Sequence, residues 1–311
     1  MKQTLAICAL IVAGTFSLAA QAPQGRGGAA PPAAPAAAAQ DMSQIEIKTN
    51  KLATNFYTLD GNGGTIGVLT GPDGVLMVDS QYAQLTDKIV AAIKRVSDGR
   101  IRFLINTHLH PDHTGGNDNF AKMGVAIISR DELRAGLVKN ATPARPVAPG
   151  TLPLVTYTGS MTFHMNGEDV QLVAIPAAHT SGDTMVRFPS ADVIMAGDFF
   201  RSLGYPYFDR ANGGTLKGLL DGLNVVIQSA GPNTKIVPGH GAIVDKTAVA
   251  AHRDMIIAVR DRVAALMKQG KTQDEIVAAK PTSDYDARIP GVGTTADRFV
   301  TGIVQELTPA K

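Results

Sequence analysis

Hydrophobic and polar positions divide this chain into short apolar runs broken by turn residues, interleaved with stretches of helical period. Residues 55–80, NFYTLDGNGGTIGVLTGPDGVLMVDS, read as strands separated by turns, with Pro72-Asp73-Gly74 as one hairpin turn. LTDKIVAAIKRV (85–96) has the apolar spacing of a helix, and IRFLINT (101–107) is a buried-strand run. Gly115 and Gly116 open a helical stretch reaching Lys122, followed by a strand GVAIIS and a helix RDELRAGL. From 152 to 197 strands return: LPLVTY, MTFHM, VQLVAIPA, TMVRF and DVIMAG. A helix over 214–229, a short strand KIVPG and a long helix over 247–268 follow, and the last forty residues read as helices with turns. Strands and helices thus come in two similar batches, each ending at a histidine-bearing loop. That pattern predicts an α/β fold of two sheets packed face to face with helices outside, and a site along one edge between them.

Before the first of these runs the pattern is different. Lys2, the apolar stretch TLAICALIVAGTF and the small residues SLAAQA read as a cleaved export signal over 1–22, too short to span a bilayer comfortably. Residues 23–43, rich in Pro, Ala and Gly, read as a flexible tether, leaving 44–311 as the folded domain with a helical extension at its C-terminus. The expected destination is the periplasm or the exterior, with no stable membrane association after cleavage. Cys8 is the only cysteine and lies inside the signal, so the mature chain has no disulfide, no thiolate ligand and no cysteine nucleophile. Any metal must be held by nitrogen and oxygen. Of 29 basic and 27 acidic residues only Lys2 falls in the signal, so the remaining charges nearly balance, and neither their sum nor any basic run suggests nucleic acid.

The chemistry is concentrated in NTHLHPDHTGG (106–116), which holds three of the seven histidines. His108 and His110, two apart in extended backbone, point their rings the same way. Pro111 turns the loop, so that Asp112 and His113 aim at an adjacent point, and one loop can serve two metals about 3.5–4 Å apart. The missing ligands are His179 in IPAAHTSGD, Asp198 closing DVIMAGD and His240 in VPGHG, each just past a strand run. Three candidate ligands at three strand ends can converge on one edge, as mixed His and carboxylate metal sites require. His164, among strand residues, is expected to be packed or on the surface, and His252 to be solvated on its helix. GNGG (61–64) reads as a hairpin turn, although it resembles a glycine-rich flap beside a site. The Pro-rich loop 140–151 reads as a lid or site wall, and 61–64, 140–151 and 201–213 are expected to shape the pocket.

HLHPDH resembles the H-x-H-x-D-H signature of the metallo-β-lactamase superfamily, and AHTSGD, AGDFF and PGHG resemble its later motifs in the right order, over roughly residues 50–245. The resemblance implies an αβ/βα sandwich of two sheets flanked by helices, with a dinuclear site, usually zinc. It assigns His108, His110 and His179 to one ion and Asp112, His113 and His240 to the other, with Asp198 bridging. Asp112 and Asp198 would then serve catalysis as well as metal binding. Asp79, closing VLMVDS, resembles the family's carboxylate that orients a ligand histidine, and Asp183 is expected in a similar supporting place. The implied activity is hydrolysis of a lactam, lactone, ester or thioester in a small-molecule substrate by a hydroxide generated on two cations. An aspartate at 198, where the best-known β-lactamases have Cys or Ser, looks more like glyoxalase II and lactonases. Arg201, three residues on, stands where Cys-type β-lactamases often have a Lys that grips the substrate carboxylate, so a substrate clamp is expected there. The competing readings are a mononuclear iron persulfide dioxygenase and a non-catalytic zinc-binding protein.

Overall fold

Every residue of VLMV (75–78) is buried, although residues on a strand alternate between two faces. Both faces must therefore be covered, and that is how the two batches of elements assemble. The computed structural model describes residues 41–144, 146–289 and 293–309, so the expected signal and all but the end of the tether lie outside the described residues. Asp41–Ser43, expected to belong to the tether, already pack: a short 3-10 turn, Met42–Gln44, is capped by Asp41 and held by the Lys88 ammonium, which donates to the Met42 and Ser43 carbonyls.

The first sheet runs in sequence order. Strands β1 (Lys48–Lys51), β2 (Phe56–Asp60), β3 (Ile66–Leu69) and β4 (Val75–Val78) are antiparallel neighbours; β5 (Ile101–Ile105), β6 (Ala126–Arg130) and β7 (Val155–Tyr157) continue in parallel. The second sheet comprises β8 (Ser160–Met165), β9 (Glu168–Pro176), β10 (Gly182–Phe188), β11 (Val193–Gly197) and β12 (Lys235–Pro238), antiparallel except for the parallel pair β11–β12. Helices α1 (Thr86–Lys94), α2 (Pro111–Thr114), α3 (Asn117–Lys122) and α4 (Asp131–Lys139) belong to the first batch. The second batch supplies α5 (Leu216–Ser229), α6 (Lys246–Lys268), α7 (Gln273–Ala278), α8 (Ser283–Asp286) and α9 (Ala296–Leu307).

Three apolar clusters bind the layers. Leu76, Val78 and Ile105 of the first sheet meet Leu172, Val186 and Met195 of the second in the central core. On the outer face of the first sheet, Val75, Met77 and Leu104 pack against Ile89 and Ile93 of α1 and Phe120 of α3. On the outer face of the second, Ile175, Met185 and Ile194 pack against Leu219 and Leu223 of α5, Ile256 and Val259 of α6, and Phe299 and Ile303 of α9. The result is the expected αβ/βα sandwich. Among the described residues no helix is long and apolar enough to cross a membrane.

Two elements depart from the sequence pattern. β1, KTNK, is polar and mostly exposed, and forms by pairing backbone with β2 rather than by burying side chains. The turn α2 arises inside the histidine motif because Pro111 sits at its first position, where its fixed φ suits a helix and its missing N–H costs nothing.

Candidate metal centre

Four strand ends deliver the polar cluster. The loop after β5 carries His108–His113, the loop after β9 carries His179, Asp198 follows β11 directly, and His240 follows β12. Their ligand atoms form two groups. His110 Nδ1 lies 3.1 Å from His108 Nε2 and 2.9 Å from His179 Nε2. In the second group, His240 Nε2 lies 3.0 Å from Asp112 Oδ2 and 3.4 Å from His113 Nε2, which is itself 3.6 Å from that carboxylate oxygen. Asp198 stands between them. Its Oδ1 lies 3.2 Å from His113 Nε2 and 3.3 Å from His240 Nε2, while Oδ2 lies 3.7 Å from His179 Nε2.

These residues fit metal ions. Nitrogens sharing a tetrahedral zinc at 2.0–2.1 Å lie roughly 3.3 Å apart, close to the separations here. Asp198 Oδ1 is buried and makes no hydrogen bond despite its two imidazole neighbours, so its lone pairs are aimed at something other than an N–H. The three imidazoles of the first group and the Asp112, His113 and His240 set each satisfy the spacing of a metal-binding triad.

Close packing of backbone around the ligands is enforced by glycine. A Cβ on Gly239 would stand 1.9 Å from Asp198 Oδ1, and one on Gly64 would stand 2.1 Å from the His113 ring. The GNGG run therefore does both things its sequence suggested: it turns the β2–β3 hairpin, and it lies against the second ligand group. Gly64 N–H donates to the Asp112 carbonyl and Thr65 N–H to that of Gly239.

Each of four ligand rings has its other nitrogen held. Asp79 Oδ2 bonds His113 Nδ1 at 2.7 Å and accepts from the Thr107 hydroxyl, whose oxygen is 3.1 Å from His108 Nδ1. Asp209 Oδ2 bonds His110 Nε2 at 2.9 Å, and the Tyr207 carbonyl accepts from His179 Nδ1 at 2.7 Å. Such partners fix tautomer and orientation. Asp183 acts differently from Asp79. It accepts from the Thr180 backbone N–H and hydroxyl, so it shapes the loop that carries His179 without reaching its ring.

Electrostatics divide the rings. Burial, reinforced by the His113 and His179 rings, pushes His108 well below the ordinary imidazole range, and burial takes His179 down to about 4, so both are neutral donors. Burial would do the same to His113, but the Asp198 and Asp79 carboxylates outweigh it and raise its pKa well above the usual value. Burial would raise Asp112 and Asp198. The His240 hydrogen bond instead takes Asp112 down to about 2, and the His113 ring holds Asp198 well below the usual carboxylate range. Asp183, buried, rises to about 7.

The sequence profile of the metallo-β-lactamase superfamily matches residues 59–240, more than half of the chain and a span that includes the seven candidate ligands. The chain belongs to the metallo-β-lactamase superfamily. Its relatives include the type 2 metallo-β-lactamase of Elizabethkingia meningoseptica, 24% identical over 231 residues, which are 68% of this chain and 85% of that one. In fold it is similar to a stereoselective inverting sec-alkylsulfatase from Pseudomonas sp., with a TM-score of 0.69 at 14% identity over 84% of this chain. This chain spans only half the length of that sulfatase. It is also similar to a metallo-β-lactamase from Pontibacter korlensis, with a TM-score of 0.57 at 17% identity, covering 68% of this chain and 99% of the other.

Within this superfamily member, several residues around the centre differ from their sequence expectations. Asp209 and the Tyr207 carbonyl, both in loop 201–213, were not anticipated. The signal for Asp209 was at most an acid in a loop expected to wall the pocket. At one end of the 140–151 loop Asn140 donates to Asn212 and Asn212 to Asp209, which connects it to the centre; at the other, the Thr151 carbonyl accepts from Asn117 at the start of α3. Arg201 is largely enclosed, its Nε 4.0 Å from Asp198 Oδ2 and without a hydrogen bond. His164 is on the surface, paired with Asp169. His252 is only partly solvated: it is half-buried, edge-on to Phe200, and burial takes its pKa down to about 4.

Proposed function

We propose that this superfamily hydrolase is an exported enzyme that holds two metal ions, most naturally zinc, and cleaves the acyl bond of a small anionic substrate, a lactam, lactone, ester or thioester. The observation that carries this reading is Asp198, whose two oxygens face the two ligand groups while the buried one makes no hydrogen bond. An all nitrogen and oxygen donor set suits zinc. Two ions at such a centre supply Lewis acidity and an activated water to the hydrolysis. The protein's own part is to fix the ligands. Asp79, Asp209 and the Tyr207 carbonyl lock three ring orientations, and the Gly64 and Gly239 contacts hold the loops close. Arg201, with an unpaired guanidinium N–H beside the centre, is placed to grip a carboxylate or a similar anion on the substrate. The type 2 metallo-β-lactamase relative supports a lactam among the substrates.

A second reading, hydrolysis of an alkyl sulfate, is favoured by the sulfatase fold neighbour together with the Arg201 Nε–H, which makes no hydrogen bond and would suit a sulfate equally well. One panel separates the two. The mature chain, zinc-loaded or chelated, is assayed against a chromogenic cephalosporin, p-nitrophenyl esters, a lactone, a thioester and p-nitrophenyl sulfate. Chelator-sensitive turnover of an acyl substrate, with KM raised at least tenfold by Arg201→Ala for anionic substrates, supports the first reading. Turnover confined to the sulfate supports the second. Oxygen consumption by the iron-loaded chain with a persulfide, and no hydrolysis, would overturn both. Export is tested by sequencing the N-terminus of the protein recovered from the periplasm or medium, which should begin after the Ala19–Ala22 region.

A further inference from the structure

Behind the segment that follows Asp198 lies a cavity of about 330 Å³ that contains no metal ligand. Phe200, Val244, Met255 and Ile289 give it apolar walls. Ala251, on an exposed part of α6, and Arg288, also exposed, border it, so its mouth faces solvent. Its volume falls at the lower end of ligand pockets and has room for about ten non-hydrogen atoms at roughly 30 Å³ each.

Besides Ser202 and Tyr285, two nitrogen-bearing side chains line the cavity, His252 and Arg288, and neither has an acidic partner among the described residues. His252 stands on the wall from α6 with its ring edge-on to Phe200 at 5.3 Å between centroids. Among the described residues its ring nitrogens make no hydrogen bond, which leaves them available to a ligand in the cavity. Arg288 has no carboxylate partner among the described residues. The nearest acid on its own turn, Asp284, is already paired with Arg262 at 2.6 Å, and Arg288 bonds only the Asp284 carbonyl while its guanidinium lies over the Tyr285 ring at 5.4 Å. The other acid on that turn, Asp286, accepts from the Tyr205 hydroxyl at 2.5 Å. An apolar slot with an unpaired cation at its mouth and a free hydrogen-bonding ring on its wall matches an amphiphile with a short apolar body and one anionic head.

We infer that this cavity is a second ligand site, separate from the metal centre, that takes a medium-chain amphiphile bearing a carboxylate or sulfate. The tail lies against Phe200, Val244 and Met255, and the head accepts from Arg288 and His252. This inference is independent of the reaction proposed above, and its test uses no turnover. Isothermal titration of the chelated full chain with sodium octanoate should show saturable 1:1 binding, and 1-octanol, which lacks the charge, should bind at least tenfold more weakly. Arg288→Gln and His252→Leu should each weaken octanoate binding, the former at least tenfold. Ala251→Phe, a substitution at an exposed helix position that fills the mouth, should abolish it. In ¹H–¹⁵N spectra octanoate should shift the amides of Phe200, Val244 and Met255. Shifts centred on His108, His179 and Asp209, undiminished binding to a folded Ala251→Phe chain, or no saturable binding would each overturn the inference.

Discussion

Asp209 provides a clean way to perturb one half of the metal centre. Its carboxylate bonds the His110 ring at 2.9 Å and accepts from Asn212 at 2.6 Å, whereas its backbone does a separate job. The Asp209 N–H donates to the His179 carbonyl at 2.7 Å, and its own carbonyl accepts from Asn212 and Gly214. Asp209→Asn and Asp209→Ala leave those backbone bonds in place and remove the charged partner that His110 shares with the Asn212 amide. Loss of such a partner costs 10–100-fold in metal affinity, or about 1.4–2.7 kcal/mol. No bond from the Asp209 side chain reaches Asp112, His113 or His240. Competition of the protein against a chromophoric zinc chelator should therefore show one of two binding steps weakened 10–100-fold in Asp209→Ala, less in Asp209→Asn, and the other unchanged within about threefold. Equal weakening of both steps, or none, would refute the assignment of Asp209 to the first ligand group.

Three further outcomes are expected. Gly64→Ala drives a methyl into the His113 ring, where overpacking costs about 1–3 kcal/mol, so urea unfolding should show that loss and the second zinc step should weaken; a normal second step would mean the flap yields instead. Arg298→Ala removes the guanidinium 4.1 Å above the Tyr207 ring, a contact worth about 0.5–2 kcal/mol, and should lower zinc affinity at the His179 group a few-fold, since the Tyr207 carbonyl holds that ring; unchanged affinity would confine Arg298 to general stability. His252 has a folded pKa of about 4, below its ordinary 6.5, so the native state binds fewer protons than the unfolded chain between those values. That stability is complete above 6.5 and lost as pH falls toward 4, at most roughly 3 kcal/mol, and His252→Leu should make the chelated chain more resistant to urea at pH 5 than at pH 7.5, relative to wild type.

What the chain disclosed before folding, and what it withheld, follow a physical division. The residues that gather at the centre were legible as candidates because metal chemistry demands particular side chains, and strand ends can be read from apolar runs such as DVIMAG before Asp198. The supports were less so. Asp79 closes a recognisable strand, but Asp209 lies in a loop without periodicity, and its role depends on the path that brings 201–213 back over His110. The Tyr207 carbonyl could not be found at all, because every residue carries the same acceptor. β1 was missed for a related reason: its polar KTNK forms a strand through backbone pairing, which leaves no pattern in side chains. His252 was misjudged because α6 alone has an exposed flank there. That flank is closed by α8 and the residues after it, elements too short to announce where they pack.

The two sheets of the sandwich share a long apolar seam and no disulfide, since the chain's one cysteine, Cys8, has no second to pair with. At one end of that seam each ligand group draws on both sheets: His108 and His110 with His179, and Asp112 and His113 with His240 and Asp198. An ion in either group would thus be a rivet between layers, performing the service that disulfides give other domains. The strength of the seam then varies with the surroundings, because a ligand at a hundred times its dissociation constant adds about 2.7 kcal/mol to the folded state and a scavenged one adds nothing. Without an ion the layers are held by side-chain packing and by a few hydrogen bonds between them, such as Thr65 N–H to the Gly239 carbonyl, and parting should begin at the edge where the ligand groups lie.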